Sequence, residues 1–105
     1  MFISIAESGT LTLEDADTMK SFFIVETVNS GTRGQAINAL KAIAEPAEDN
    51  HYWIGIDSVI TLSPRKNDPE WIEAFWQMLK AVEPYGYVDM ENRLVKAHVE
   101  KIDVD

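Results

Sequence analysis

The 105-residue sequence contains no cysteine. This absence excludes disulfides, thiolate catalysis and the cysteine-based zinc and iron–sulfur sites. The two histidines, His51 and His98, lie far apart in the chain and match no metal-ligand spacing, and their polar neighbours predict that both are surface residues. No serine lies in a nucleophile-elbow motif. The motifs therefore indicate no catalytic residue, no metal and no cofactor, and an enzyme is the less favoured class of protein.

Basic residues are scarce, with nine Lys and Arg against 18 Asp and Glu, which gives a formal net charge of −9. The only adjacent basic pair is Arg65 and Lys66. Nucleic acids and anionic membrane surfaces bind mainly to clustered basic residues, so we expect neither as a partner. The acidic balance favours a basic protein partner through long-range attraction, or it serves only solubility.

Long apolar runs are also missing. No segment approaches the roughly 18 uninterrupted apolar residues of a membrane-spanning helix, and residues 1–7 contain no basic leader. We therefore expect a cytoplasmic protein. Hydrophobic residues nevertheless make up 46% of the chain, which suffices for a core. No linker divides the sequence, so residues 1–105 are predicted to form one domain.

Turn-forming residues divide the chain into short β-type runs and two helical runs. The predicted strands are 2–6, 10–13, 22–28, 53–62, 87–90 and 94–102, and the predicted helices are 34–45 and 69 to 82 or 83. The first two strands and the last two strands are each predicted to form a hairpin. The run 22–28 is too apolar for an edge, which predicts a central strand. The last strand is predicted to have one solvated face, because Val95, Ala97 and Val99 alternate with Lys96, His98 and Glu100. The connection from this strand through the first helix is compatible with a parallel crossover or with an antiparallel return. The order β-β-β-α-β-α-β-β predicts an α+β fold, with a mixed or antiparallel sheet of about five to six strands and two helices packed on one face.

The second predicted helix has seven large apolar side chains, Trp71, Ile72, Phe75, Trp76, Met78, Leu79 and Val82. Asp68 and Pro69 form a strong helix start, because Asp can cap free amides and Pro suits the first helical position. At about 100° per residue, the apolar side chains cover an arc of roughly 160°, wider than the stripe of about 100° that a helix needs against a sheet. Trp76 and Met78 lie at opposite margins of this arc. Either other elements cover both margins, or the helix offers a surface to a partner or a second copy. The interface residues of that hypothesis are Trp71, Phe75, Trp76 and Met78.

Four further residues are candidates for ligand or anion contact. Arg33 lies in the glycine-containing segment 31–34 between a predicted strand and helix, where backbone amides can bind an anion, although a plain helix cap is the simpler interpretation. Asp57 lies in the predicted strand 53–62, where apolar neighbours would raise its pKa, unless it marks a bend. Tyr85 and Tyr87 line a shallow groove in one interpretation and pack at a turn in the other.

These patterns predict three functions, in decreasing order of preference. The first is a small intracellular adaptor or inhibitor that binds another protein through the tryptophan-rich helix, with acidic residues as the rim. Immunity proteins that neutralise toxins share this size and charge, an analogy that does not extend to fold. The second is a small dimeric α+β enzyme or ligand-binding domain with a pocket near Asp57, Tyr85 and Tyr87. The third is a structural homodimer.

Overall fold

The chain has an α+β fold, as the sequence predicts, in which runs of two or three strands are separated by helices. The computed structural model describes residues 1–6, 8–28 and 35–103. The α-helices and β-strands of this part of the chain are β1 (Phe2–Ile5), β2 (Leu11–Glu14), β3 (Phe23–Val28), α1 (Gln35–Leu40), β4 (Ala44–Pro46), β5 (His51–Gly55), α2 (Ile56–Leu62), α3 (Pro69–Val82), β6 (Val88–Asp89) and β7 (Leu94–Asp103). A single 3₁₀ turn, Glu83–Tyr85, follows α3.

The strands form one mixed sheet in the order β2-β1-β3-β7-β5-β4, and β6 also pairs with β7. The pairs β1–β3 and β3–β7 are parallel, and the other pairs are antiparallel. Strand β3 therefore lies inside the sheet, which confirms the predicted central strand. The two predicted hairpins, β1–β2 and β6–β7, are confirmed as well. Because β7 is ten residues long, its first half pairs with β5 and, at Leu94 and Val95, also with β6, and its second half pairs with β3.

One face of the sheet is buried under the helices. The alternation predicted for the last strand is confirmed, since Val95, Ala97 and Val99 are buried, while His98 and Glu100 are exposed on the opposite face. The buried side chains of the sheet and of the three helices form one hydrophobic cluster, which includes Ile3, Ile24, Leu40, Ile54, Val59, Phe75 and Leu79. The opposite face of the sheet, called the open face below, carries no helix in the described part of the chain.

Residues 56–62 are helical, so the predicted strand 53–62 is wrong beyond Gly55. The run alternates every second residue, but Ile56, Val59 and Ile60 also have the spacing of one helix face. Ile56 and Val59 are fully buried in that arrangement. Asp57 in the first turn favours the helix electrostatically. A short apolar run of this kind fits both periods, and packing against the core decides between them.

The first predicted helix, 34–45, is too long at its C-terminal end. Helix α1 ends at Leu40, and Ala44 begins β4, which pairs in antiparallel register with β5. This pairing overrides the helix propensity of the segment. Gly34 lies outside the described residues. The parallel crossover also fails, because β7 lies between β3 and β5 and is parallel to one and antiparallel to the other.

The second predicted helix is confirmed as α3. The Asp68 carboxylate accepts hydrogen bonds from the backbone amides of Glu70, at 3.0 Å, and Trp71, at 3.4 Å. Pro69 occupies the first turn, where its missing N–H costs nothing. Local capping chemistry therefore fixes where α3 begins, and its buried stripe, formed by Trp71, Phe75 and Leu79, fixes the face that meets the sheet.

Candidate functional site

Two of the four predicted interface residues belong to the core. Trp71 is 3% exposed and Phe75 is fully buried. Their rings stack with centroids 5.2 Å apart, and the Trp71 indole Nε1–H donates a hydrogen bond of 2.6 Å to the carbonyl oxygen of Ala16. These contacts hold α3 against the rest of the domain. A surface for a partner therefore depends on Trp76 and Met78.

Trp76 lies at a margin of α3 that another part of the chain covers. The Arg93 guanidinium carbon lies 4.9 Å from the centroid of the Trp76 ring, in cation–π geometry. Arg93 also donates two hydrogen bonds, of 2.7 and 2.6 Å, to the Asp57 carboxylate. Its carbonyl oxygen accepts the amide of Ile56 at 2.9 Å. The turn before β7 is thus tied to the start of α2 and leaves Trp76 half-buried.

Asp57 does not have the environment that the sequence predicted. It lies in the first turn of α2, where its side chain is 66% exposed. The hydrogen bonds from Arg93 lower the pKa of Asp57, with desolvation as the smaller, opposing effect. The expected rise of its pKa is therefore wrong, because the expectation placed Asp57 on an apolar strand face. A surface carboxylate paired with Arg is not set up for proton transfer at neutral pH.

Met78 lies at the other margin of α3, where a groove with a volume of about 400 Å³ opens. We call it the Met78 groove. Side chains from α3, from the segment before β3, from Tyr87 before β6 and from His51 of β5 form its walls, and β7 forms its floor. The lining residues are Met19, Lys20, Ser21, Phe22, His51, Met78, Leu79, Ala81, Val82, Tyr87, Val95, Lys96, Ala97 and His98.

The groove lies where the sheet is interrupted beside β7. Strand β6 pairs with β7 only at Leu94 and Val95, and β3 begins to pair at Val99. Between these two ladders, the amide of Lys96 donates a hydrogen bond of 2.7 Å to the carbonyl oxygen of Tyr87. Backbone groups alternate in direction along a strand, so those of Lys96 and His98 point toward this interruption.

The lining residues include four bases and no acid. The bases are Lys20, His51, Lys96 and His98. Lys96 is the most constrained, because its Nζ lies 2.5 Å from Glu48 Oε1 and near the rings of Trp53 and Tyr87, 5.5 and 5.6 Å from their centroids. The hydrogen bond from Lys96 lowers the pKa of Glu48. Glu48 thus neutralises Lys96, whereas Lys20 forms no ion pair among the described residues.

A row of aromatic rings on the open face ends at the groove. Phe2 stacks on Phe23 with centroids 5.2 Å apart, and Phe23 stacks on His98 at 5.7 Å. His51 meets His98 edge-on at 6.2 Å. The row joins β1, β3, β7 and β5 across the sheet, so it holds the His98 ring in position at the rim of the groove.

The remaining candidate residues differ in their relation to the Met78 groove. Tyr87 is 46% exposed and lines the groove, whereas Tyr85 is 77% exposed and does not line it. Asp57 does not line it either. Arg33 lies outside the described residues.

The groove was not predicted as a site, although the sequence does predict the relative placement of two of its polar lining residues. Alternation in the last strand predicts that Lys96 and His98 share a face. No local signal brings Met19 and Phe22 next to Met78, because these contacts depend on how β3 and α3 pack around β7. The two histidines were interpreted as surface residues. His98 is exposed, whereas His51 is half-buried.

Two searches of the described residues limit the chemistry. They contain no group of three or more His, Cys, Asp or Glu side chains placed to hold a metal ion. None of the described helices is long and apolar enough to cross a membrane.

The chain was compared with known protein families, sequences and structures. No protein-family model matches the chain, and neither the curated protein sequences nor the solved structures contain a match to it.

Proposed function

We propose that this chain is a protein-binding domain, an adaptor or inhibitor, that receives an apolar side chain of its partner in the Met78 groove. The observation that carries the proposal is the open margin of α3 at Met78. There the domain's own elements leave a groove of about 400 Å³ with apolar walls. Pockets of this kind are where anchor residues of a partner contribute most of the binding energy.

The composition of the walls supports a protein ligand. Met19 and Met78 both line the groove, and Met side chains adapt their shape to an incoming apolar group because they are unbranched and flexible. The tyrosine Tyr87 adds an amphipathic ring at the mouth. This surface replaces the wider patch expected from the sequence, because Trp71 and Phe75 are buried.

The net charge of −9 supports a partner whose overall charge is positive. Long-range attraction between opposite net charges raises the association rate at low salt. We propose the cytoplasm as the location, because the chain contains no cysteine. The alternative to a separate partner protein is a homodimer formed through the groove.

A small-molecule binding domain is the second candidate. The volume of the groove, about 400 Å³, lies within the range of about 300–1,000 Å³ of known ligand pockets. A few polar groups, including Ser21 and His98, converge on its apolar walls.

The proposal is tested by placing a charge inside or beside the groove. Met78→Lys adds an ammonium group to the wall, and Gln77→Lys adds the same group one residue away, on the exposed side of α3. Proteins captured by each variant and by the native chain from an extract of the source cells are compared by quantitative mass spectrometry. We expect a partner that the native chain and Gln77→Lys retain and that Met78→Lys loses.

Both variants must first show native circular dichroism and cooperative unfolding. The partner is then purified, and its affinity for the three chains is measured by calorimetry. Equal affinity for Met78→Lys and Gln77→Lys would contradict a site in the groove.

A further inference from the structure

The floor of the Met78 groove offers backbone hydrogen-bonding groups to an extended ligand. Between the β6 ladder, which ends at Val95, and the β3 ladder, which begins at Val99, the carbonyl of Lys96 and the amide of His98 point into the interruption. Main-chain groups of this kind bind peptides by adding a short length of strand to the sheet. The geometry therefore favours a ligand with a peptide backbone.

The charged side chains at the rim of the groove indicate which charge a bound part of a peptide can carry. The lining residues include Lys20, Lys96, His51 and His98 and no Asp or Glu. Glu48 and Glu100 lie outside the lining and pair with Lys96 at 2.5 Å and with His98 at 3.4 Å, so Lys20 is the lining cation that forms no ion pair among the described residues. A single negative charge on a ligand can therefore pair with Lys20. A polyacidic segment would be repelled by the net charge of −9.

The apolar walls call for one large side chain next to that charge. Phe22, Met78, Leu79 and Val82 line the interior of the groove. An apolar side chain directly beside one carboxylate is the chemistry of a chain's C-terminal residue. An internal apolar residue has no carboxylate of its own and continues the chain in both directions.

We infer that the Met78 groove binds the C-terminal residue of a partner protein. Its apolar side chain lies between Phe22 and Met78, and its terminal carboxylate lies at the basic rim near His98 and Lys20. This inference rests on the proposed function and specifies which part of the partner binds, namely its C-terminal residue. It is compatible with the acidic chain, because the partner as a whole can be basic while its terminus carries one negative charge that pairs with Lys20.

The test uses two peptides that differ in one group. N-acetyl-Gly-Gly-Leu with a free carboxylate is compared with the same peptide ending in a carboxamide, by nuclear magnetic resonance titration of the full, isotope-labelled chain. We expect the acid to shift the amide signals of Lys96, Ala97 and His98 and to bind at least about tenfold more tightly than the amide, because a charge-assisted contact is lost.

A matched pair of variants locates the binding. Ala81→Phe adds a ring at a lining position that is exposed on α3, and Lys80→Phe adds the same ring to the neighbouring exposed position outside the groove. We expect Ala81→Phe to abolish the shifts and Lys80→Phe to preserve them.

The results separate the two proposals. If the acid and the amide bind equally, or if neither binds while Met78→Lys still loses a protein partner, the C-terminal inference is wrong and the proposed function stands. If Met78→Lys and Gln77→Lys retain the same partners, the proposed function is wrong. Acid-selective shifts that persist in Ala81→Phe would also overturn the inference, because the peptide would then bind elsewhere.

Discussion

The two margins of α3 differ in what lies against them. At the Trp76 margin, Arg93 covers the indole ring at 4.9 Å and is itself held by Asp57. At the Met78 margin, the groove leaves the side chain beside open space. Both residues are half-buried, so their exposed fractions alone do not distinguish them. A wide apolar arc on a helix can therefore be covered on one side by a turn of the same chain, while its other side stays accessible to a ligand.

Phe75 lies between the two margins and is fully buried. The loss of stability on its truncation is therefore the reference with which the losses at both margins are compared. Phe75→Ala removes a ring that stacks on Trp71 and leaves a cavity in the core. We expect the free energy of unfolding to fall by about 3–5 kcal/mol, the usual cost of such a truncation. Urea denaturation followed by circular dichroism measures it. A loss below about 1 kcal/mol would mean that α3 is not docked as described.

The margins themselves are compared by truncating each residue in turn. We expect Trp76→Ala to lower the free energy of unfolding by about 1–2 kcal/mol, because it removes a half-buried ring and its cover. For Met78→Ala we expect a loss below about 1 kcal/mol, because one side of that residue already faces the groove.

The same urea denaturation applies, with Gln77→Ala as the control. Gln77 is exposed and bonds only Glu73 among the described residues, so its truncation should stay within about 0.5 kcal/mol of the native chain. If Met78→Ala costs as much as Trp76→Ala, the distinction between a closed and an open margin is wrong.

Local chemistry made α3 predictable, while the difference between its margins was not. Asp68 and Pro69 mark the start of the helix within two residues of sequence, and the spacing of Trp71, Phe75 and Leu79 fixes its buried face. The cover on Trp76 depends on the position of Arg93, a residue 17 positions away along the chain (93 − 76). Such contacts depend on the final packing, and no periodicity encodes them.

The groove could not be predicted from the sequence for a related reason. The alternation of Lys96 and His98 is local and was predicted, but the interruption beside them depends on where two other strands stop pairing. The segment 56–62 shows the same limit, because its apolar spacing fits both a strand and a helix. Composition and period therefore predicted the fold class and most elements, and they could not predict the site.

The smallest effect concerns the Asp57–Arg93 pair that holds the closed margin in place. The hydrogen bonds from Arg93 lower the pKa of Asp57 below its ordinary value of 3.8. A carboxylate with a lowered folded-state pKa adds stability above pH 3.8, and this contribution is lost as the pH falls through the folded-state pKa. Asp57→Asn should therefore lower the melting temperature slightly at pH 7, because exposed ion pairs contribute little, and the difference from the native chain should vanish under strong acid.

Glu91→Gln is the control for this last comparison, because it removes one negative charge from the turn that precedes Arg93 without touching the pair. Its melting temperature should differ from that of the native chain by the general charge effect alone. That effect shrinks as salt is added, as does the contribution of the exposed pair. If Asp57→Asn and Glu91→Gln follow the same curve from pH 7 down to acid, the Asp57–Arg93 pair does not stabilise the closed margin. The cover on Trp76 would then rest on the Ile56 to Arg93 backbone hydrogen bond and on the packing of the guanidinium against the ring.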